Sequence, residues 1–310
     1  MTMAGGTISM ANTSAKLIHR LSVEYNLTEH CNLSCYGCDH ASPLLPEKYA
    51  VVEDFARDLE ALARVFHSSE LRIVGGEPLL HPKLFEFLRE GRRIAVADAV
   101  VLYTNGVLLH EMPDELWDLI DVLHISVYPG VKRRLDDAEC ARRCEAHGVK
   151  LDIDHLPEFN RTLINQRIES KKLVEAIFLN CQTALECNTV YQGRFYKCAI
   201  APFMGARLAL QGIDFDNLAS DGVSLHDNAT LHEDLDGYLN SRKPLAACSY
   251  CLGSSGPQVA HHQLNRRGCA AWRKEDNQAD IDSVREHLLG TPWLVRGRRK
   301  LGRLLSQLTQ

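Results

Sequence analysis

The stretch "EHCNLSCYGCDH", residues 29–40, sets Cys31, Cys35 and Cys38 within eight residues. The residues before it, "RLSVEYNLT", alternate like a β-strand, so the three thiols fall on a loop at a strand end. A structural zinc ion is closed by four ligands. Three thiolates on a cubane iron–sulfur cluster instead leave one iron without a protein ligand, and that open iron is a place for chemistry. His40 offers a fourth ligand for zinc, which is the competing reading. Structural zinc sites, however, favour paired cysteine spacings over a row.

Working outward, "VEDFARDLEALARVF", "HPKLFEFLREGRR", "EMPDELWDLI" and "RRLDDAECARRCEAHG" carry helical signals, from apolar spacing to an early proline or a closing glycine. Between them, "LRIVGGEPLL" reads as a buried strand, and "DAVVLYTNG", "DVLHISVYPG" and "VKLDIDHL" as strands. Strand and helix alternate about every twenty-five residues from 20 to 155. That rhythm predicts an α/β fold with parallel strands, open or barrel-like.

Cys31-x3-Cys35-x2-Cys38, just past a first strand, resembles the signature of radical S-adenosylmethionine (radical SAM) enzymes. Gly75-Gly76-Glu77-Pro78, ending the next strand, is similar to that family's glycine–glycine–glutamate element. The resemblance covers about residues 20–155. It implies a partial (β/α)6 barrel with a [4Fe–4S] cluster on Cys31, Cys35 and Cys38 at the carboxyl ends of the strands. It also implies S-adenosylmethionine on the open iron and a flavodoxin- or ferredoxin-type electron donor. The implied reaction is reductive cleavage of the cofactor to a 5′-deoxyadenosyl radical that takes a hydrogen atom from a substrate C–H. Gly75 and Gly76 let backbone approach the cofactor closely, and Glu77 is expected to balance its ammonium. Asn105, in Thr104-Asn105-Gly106, and Ser126 with Tyr128 end later strands, where ligands of parallel sheets gather. The family's aromatic before the third cysteine is missing: Gly37 holds that place and Tyr36 stands one earlier.

After about residue 165 the rhythm breaks. "NTVYQGRFYKCAI" predicts a hairpin turning at Gln192-Gly193. Around it lie Cys181, Cys187, Cys198, Cys248 and Cys251, which resemble the cysteines of a twitch or shortened SPASM module holding one auxiliary [4Fe–4S] cluster. Five thiols compete for four places, so one is spare; a four-cysteine zinc site is the alternative. A spare thiol near the radical can return a hydrogen atom, a role open to Cys251 or Cys269. Cys140 and Cys144 share a helix face and read as small buried hydrophobes. His155, His261 and His262 are candidates for a substrate site, against the reading of surface or hydrogen-bonded core histidines.

The expected organisation is a disordered lead (1–18), a radical SAM core (19–165), an auxiliary-cluster module (166–255) and an extension with a basic helix (256–310). Eleven cysteines without a secretion signal fit a cytoplasmic chain using thiols for metal or redox chemistry. The last twenty residues hold five cations (Arg296, Arg298, Arg299, Lys300, Arg303) and no acid, so a chain of net −5 has a body of −10. Such a body repels nucleic acid. The preferred reading docks the tail on that acidic body rather than on a membrane.

The substrate is the least legible feature. With about thirty residues before Cys31, no leader-binding domain fits there. Relatives with one auxiliary cluster include dehydrogenases and epimerases of aminocyclitols and sugars. The expectation is therefore dehydrogenation or epimerisation of a small polyhydroxylated or aminoglycoside-like molecule. The alternatives are a maturase of ribosomal peptides and, outside enzymes, a zinc-binding scaffold. No G-x-G-x-x-G fingerprint follows a strand, which argues against hydride transfer.

Overall fold

The computed structural model describes residues 17–290. Most of the expected lead and the whole basic tail from 291 lie outside the described residues. The first half runs β1 (Ile18–Asn26), α1 (Val52–Ala63), β2 (Phe66–Val74), α2 (Leu84–Ile94), β3 (Ala97–Thr104), α3 (Glu115–Asp118), β4 (Val122–Val127), α4 (Asp137–His147) and β5 (Lys150–His155). The second half runs β6 (Glu158–Asn160), α5 (Lys171–Leu179), α6 (Thr183–Glu186), β7 (Thr189–Tyr191), β8 (Arg194–Tyr196), α7 (Met204–Ala209), α8 (Leu218–Asp221), β9 (Val223–Ser224), α9 (Leu231–Asn240), β10 (Gln258–Ala260), α10 (Arg266–Trp272) and α11 (Gln278–Leu289).

The fold is α/β around a parallel sheet, as the alternation predicts. One eight-stranded sheet has the order β5-β4-β3-β2-β1-β7-β8-β9. Strands β1 to β5 pair parallel in chain order. The sixth parallel strand is β7, which joins the free edge of β1 instead of following β5. It belongs to the predicted hairpin: Thr189 faces Tyr196 across β7 and β8. Gln192 and Gly193 both take positive φ, 48° and 72°. Two successive positive φ values define the turn whose twist matches a hairpin, and glycine supplies the second without strain. The hairpin therefore extends the main sheet, although the sequence places it in the later cysteine region.

The two faces of the sheet differ. Val23 and Tyr25 of β1 point to the helices, where Tyr25 meets Phe55 of α1 at 4.7 Å and Phe55 meets Phe87 of α2 at 5.1 Å. Phe55, Leu59 and Leu62 recur at helical spacing and are fully buried. Each such side chain contributes about 1.5–3 kcal/mol of burial. Because successive strand residues face opposite sides, Glu24 turns the other way, toward the cavity described below. Cys140 and Cys144 lie buried in the main core, as small hydrophobes would. A second packing unit gathers Tyr196, Phe203, Met204, Leu208, Tyr250 and Cys251. Among the described residues no helix is long and apolar enough to cross a membrane.

Candidate active site

A cavity of about 300 Å³ opens at the carboxyl ends of β1 to β4. Cys31, Cys35 and Cys38 line it, together with Gly75, Gly76, Asn105, Ser126 and Tyr128. The predicted set thus converges, with one exception. A larger cavity, about 470 Å³, lies beside Tyr25 and Leu27 and contains no cysteine. Its Glu29 is already held by Lys48 at 2.7 Å and by the Tyr191 hydroxyl at 2.5 Å.

The exception is Glu77. Its carboxylate is fully buried and does not line the cavity. It accepts hydrogen bonds from Leu79 N (3.0 Å), Thr104 Oγ1 (2.7 Å) and Asn105 N (2.9 Å). Burial pushes this carboxyl up to about 7, against the three donors that favour the charge. Glu77 therefore ties the end of β2 to the end of β3.

The glycine pair has a related explanation. A Cβ at Gly76 would sit 2.0 Å from the His30 carbonyl oxygen, and one at Gly75 2.6 Å from the Thr28 carbonyl oxygen. Both glycines line the cavity, but their missing side chains make room for the chain's own loop. Gly76 N donates to Thr28 O (2.8 Å) and Glu77 N to His30 O (3.2 Å). The second motif thereby locks the root of the cysteine loop.

The loop's sulfurs are surrounded by N–H donors. Leu33 N donates to Cys31 Sγ (3.3 Å), Asn105 Nδ2 to Cys31 Sγ (3.7 Å) and Gln263 Nε2 to Cys35 Sγ (3.1 Å). Burial raises the thiols, Cys31 to about 12 and Cys35 to about 11, and Cys38 rises from the same cause. A bound cationic metal centre reverses that balance and deprotonates the thiols. Among the described residues no three His, Cys, Asp or Glu side chains close on a single metal ion. The sulfurs ring a cavity instead, which suits a cluster several atoms across, and N–H bonds to sulfur are what such clusters use. His40 lines the same cavity, where burial lowers it to about 4 and leaves its Nε2 without a partner.

Tyr36 points away from the cavity. Its hydroxyl donates to Glu275 (2.7 Å), its ring stacks on His262 at 4.9 Å, and Arg161 lies 5.6 Å over it. The cavity's aromatics are Tyr103, Tyr128 and Phe159. His261 stacks on Tyr128 at 4.8 Å, whereas His155 stays exposed on β5.

The five later cysteines divide. Cys198 and Cys251 are both pushed up by burial and by their neighbours, which are Cys181 and Cys248 in each case; Cys251 also feels Cys198. Gly253 N donates to Cys251 Sγ (3.2 Å), and Gly253 stands against Cys181 Sγ. Those four thiols therefore form one group. Cys187 is elsewhere: it lines the main cavity together with Glu24. Cys251 and Cys269 are not in the cavity lining.

Sequence reasoning missed Glu24, Arg72, Tyr103 and Gln263. The first three are inward strand residues, and period-two counting back from the strand ends marks Glu24 and Arg72. Gln263 had no local signal: it reaches the loop because the segment after β10 pairs back, with Leu264 N on Ser34 O (2.7 Å).

Residues 25–129 match the family model described as "Radical SAM superfamily". These residues form a radical SAM domain. The domain implies one [4Fe–4S] cluster and S-adenosylmethionine, and the cysteine loop fits the former. The chain is 27% identical over 229 residues to a GTP 3′,8-cyclase of Heliobacterium modesticaldum, 66% of each chain. It is 37% identical over 95 residues to one of Chlorobaculum tepidum, 30% of this chain and 28% of that one. The chain thus spans less than two thirds of these relatives' lengths. It also resembles a crystal structure of BtrN in complex with AdoMet and 2-DOIA, with 15% identity and a TM-score of 0.45, covering 78% of this chain and 96% of that one.

Proposed function

We propose that this chain is a radical SAM enzyme that abstracts a hydrogen atom from a small hydroxylated or amine-bearing substrate and completes a dehydrogenation or epimerisation. Residues 19–165 serve as the catalytic core and 166–255 as an auxiliary module. Cys31, Cys35 and Cys38 hold the first cluster, while Gly75, Gly76, Asn105 and Ser126 frame the cofactor. Cys181, Cys198, Cys248 and Cys251 hold a second [4Fe–4S] cluster, which serves as an electron sink for oxidation. The external electron source is a one-electron donor of the flavodoxin or ferredoxin class.

The observation that carries the substrate class is the charge of the cavity. Among its described lining residues the permanently charged cation is Arg72, and it is already flanked by Glu70 (2.8 Å) and Glu24 (3.7 Å). His40 is neutral at pH 7. A nucleoside triphosphate needs several free cations, so this lining favours a neutral or amine-bearing ligand over GTP, the substrate in the names of the cyclase relatives.

The test is anaerobic reconstitution followed by incubation with S-adenosylmethionine, dithionite and one of myo-inositol, glucosamine, 2-deoxystreptamine or GTP. The expected result is 5′-deoxyadenosine formation stimulated by an amino sugar or aminocyclitol. The product would be two hydrogens lighter or an unchanged-mass epimer. Stimulation by GTP alone would overturn the substrate class.

A further inference from the structure

Cys187 is the thiol that the four-cysteine group leaves out, and its position is fixed by the sheet. β7 pairs parallel to β1 with Thr189 opposite Glu24. Glu24 N donates to Asn188 O (2.7 Å) and Ser22 Oγ to Glu186 O (2.9 Å), so the backbone on both sides of Cys187 is bound to β1. Glu24 lies opposite Arg72 in the β1–β2 register, and the Arg72 guanidinium sits 5.6 Å over the Tyr103 ring. Cys187, Glu24 and Arg72 therefore form one layer of the cavity wall, contributed by β1, β2 and the approach to β7, with the Tyr103 ring of β3 beside Arg72. Glu24 and Arg72 each stand two residues before the last residue of their strands, about 7 Å down by the strand rise. The cysteine loop, Gly75, Gly76 and Asn105 occupy the layer at the strand ends. A small substrate in this cavity contacts both layers.

We propose that Cys187 is the hydrogen-atom donor of this cavity, with Glu24 as its proton partner, so that the chain returns hydrogen to its substrate and epimerises it. The inference rests on the reading of the cavity as a site of C–H abstraction. A thiol S–H bond is weaker than the C–H bond of a carbon bearing a hydroxyl, so transfer to a substrate carbon radical is downhill. The S–H bond breaks, a C–H bond forms, and a thiyl radical remains on Cys187. One electron from the flavodoxin- or ferredoxin-class donor and one proton from Glu24 restore the S–H, and solvent reprotonates Glu24. Burial and the Glu24 charge hold the Cys187 thiol well above its ordinary range, so it keeps its proton at neutral pH. Glu24, raised to about 7 by burial, can both give and regain a proton there. This places the donor at Cys187, in the cavity wall, and not at Cys251 or Cys269.

The experiment compares wild type with Cys187→Ser after reconstitution, by iron content and by assay in D2O with the panel member that stimulates 5′-deoxyadenosine formation. The expected variant holds as much iron as wild type. Solvent deuterium in its recovered product falls by about tenfold or more, with oxidised product in its place. Loss of half the iron would make Cys187 a cluster ligand and overturn the proposal. Undiminished deuterium in the variant, or none in wild type, would also overturn it. A wild-type chain that makes no 5′-deoxyadenosine with any panel member would sink the underlying reading, and the proposal with it.

Discussion

The two cysteine groups sit in opposite surroundings. Cys31, Cys35 and Cys38 line a cavity floored by the polar strand residues Glu24 and Arg72. Cys198, Cys248 and Cys251 pack against a cluster containing Leu163, Met204 and Tyr250. Three thiols open to a cavity can hold a centre that still accepts a ligand, whereas four closed within apolar packing can hold one that exchanges only electrons. The same residue type thus stands in two surroundings, and the division follows from packing.

The largest test of that contrast is a pair of variants. Wild type is expected to carry about eight iron per chain, and Cys31→Ala and Cys251→Ala each about four. Cys31→Ala abolishes 5′-deoxyadenosine formation, while Cys251→Ala retains cofactor cleavage and loses product. Iron analysis beside chromatography of 5′-deoxyadenosine reads both; unchanged iron in Cys251→Ala would break the comparison.

Next in size is the loop's root. Gly76→Ala drives a Cβ into the His30 carbonyl, and overpacking against backbone is expected to cost about 3 kcal/mol. Gly130, at φ 75° with open space around it, should lose only about 1 kcal/mol as Ala. Urea denaturation of both variants measures the difference; equal losses would mean that the loop does not need the close approach.

The narrowest effect, confined to one pH window, concerns the cavity floor. Burial raises Glu24 from 4.5 to about 7. The native state then binds the proton more tightly than the unfolded chain, so its contribution is full below pH 4.5 and is lost as pH rises toward 7. Glu24→Gln lacks this dependence. Its stability relative to wild type should improve by up to about 1.4 kcal/mol per pH unit across that window and level off above it. A flat difference in denaturation midpoints would show that Arg72 keeps Glu24 ionised throughout.

Much of the parallel sheet was legible because strand and helix periods are local: "DAVVLYTNG" and "VEDFARDLEALARVF" announce β3 and α1 within a few residues. The hairpin at Gln192-Gly193 was legible because positive φ has a short chemical signature. Its partner strand was not, since pairing of β7 with β1 joins residues 24 and 189. No local rule spans that separation. Among site residues, the cysteine row and glycine pair were readable as motifs, but the work of Glu77 depended on Thr104 and Asn105 arriving from another strand.

The sequence by itself determined the α/β class, the three-thiol loop and the presence of a second cysteine set. Spacing along the chain suffices where neighbours in sequence must share one loop or one strand end. Only the tertiary structure decided which four of five later thiols gather. It alone turned Glu24 and Arg72 into a cavity floor and brought Gln263 onto Cys35. Those are contacts between distant segments, set by sheet order and by which face of each strand is buried.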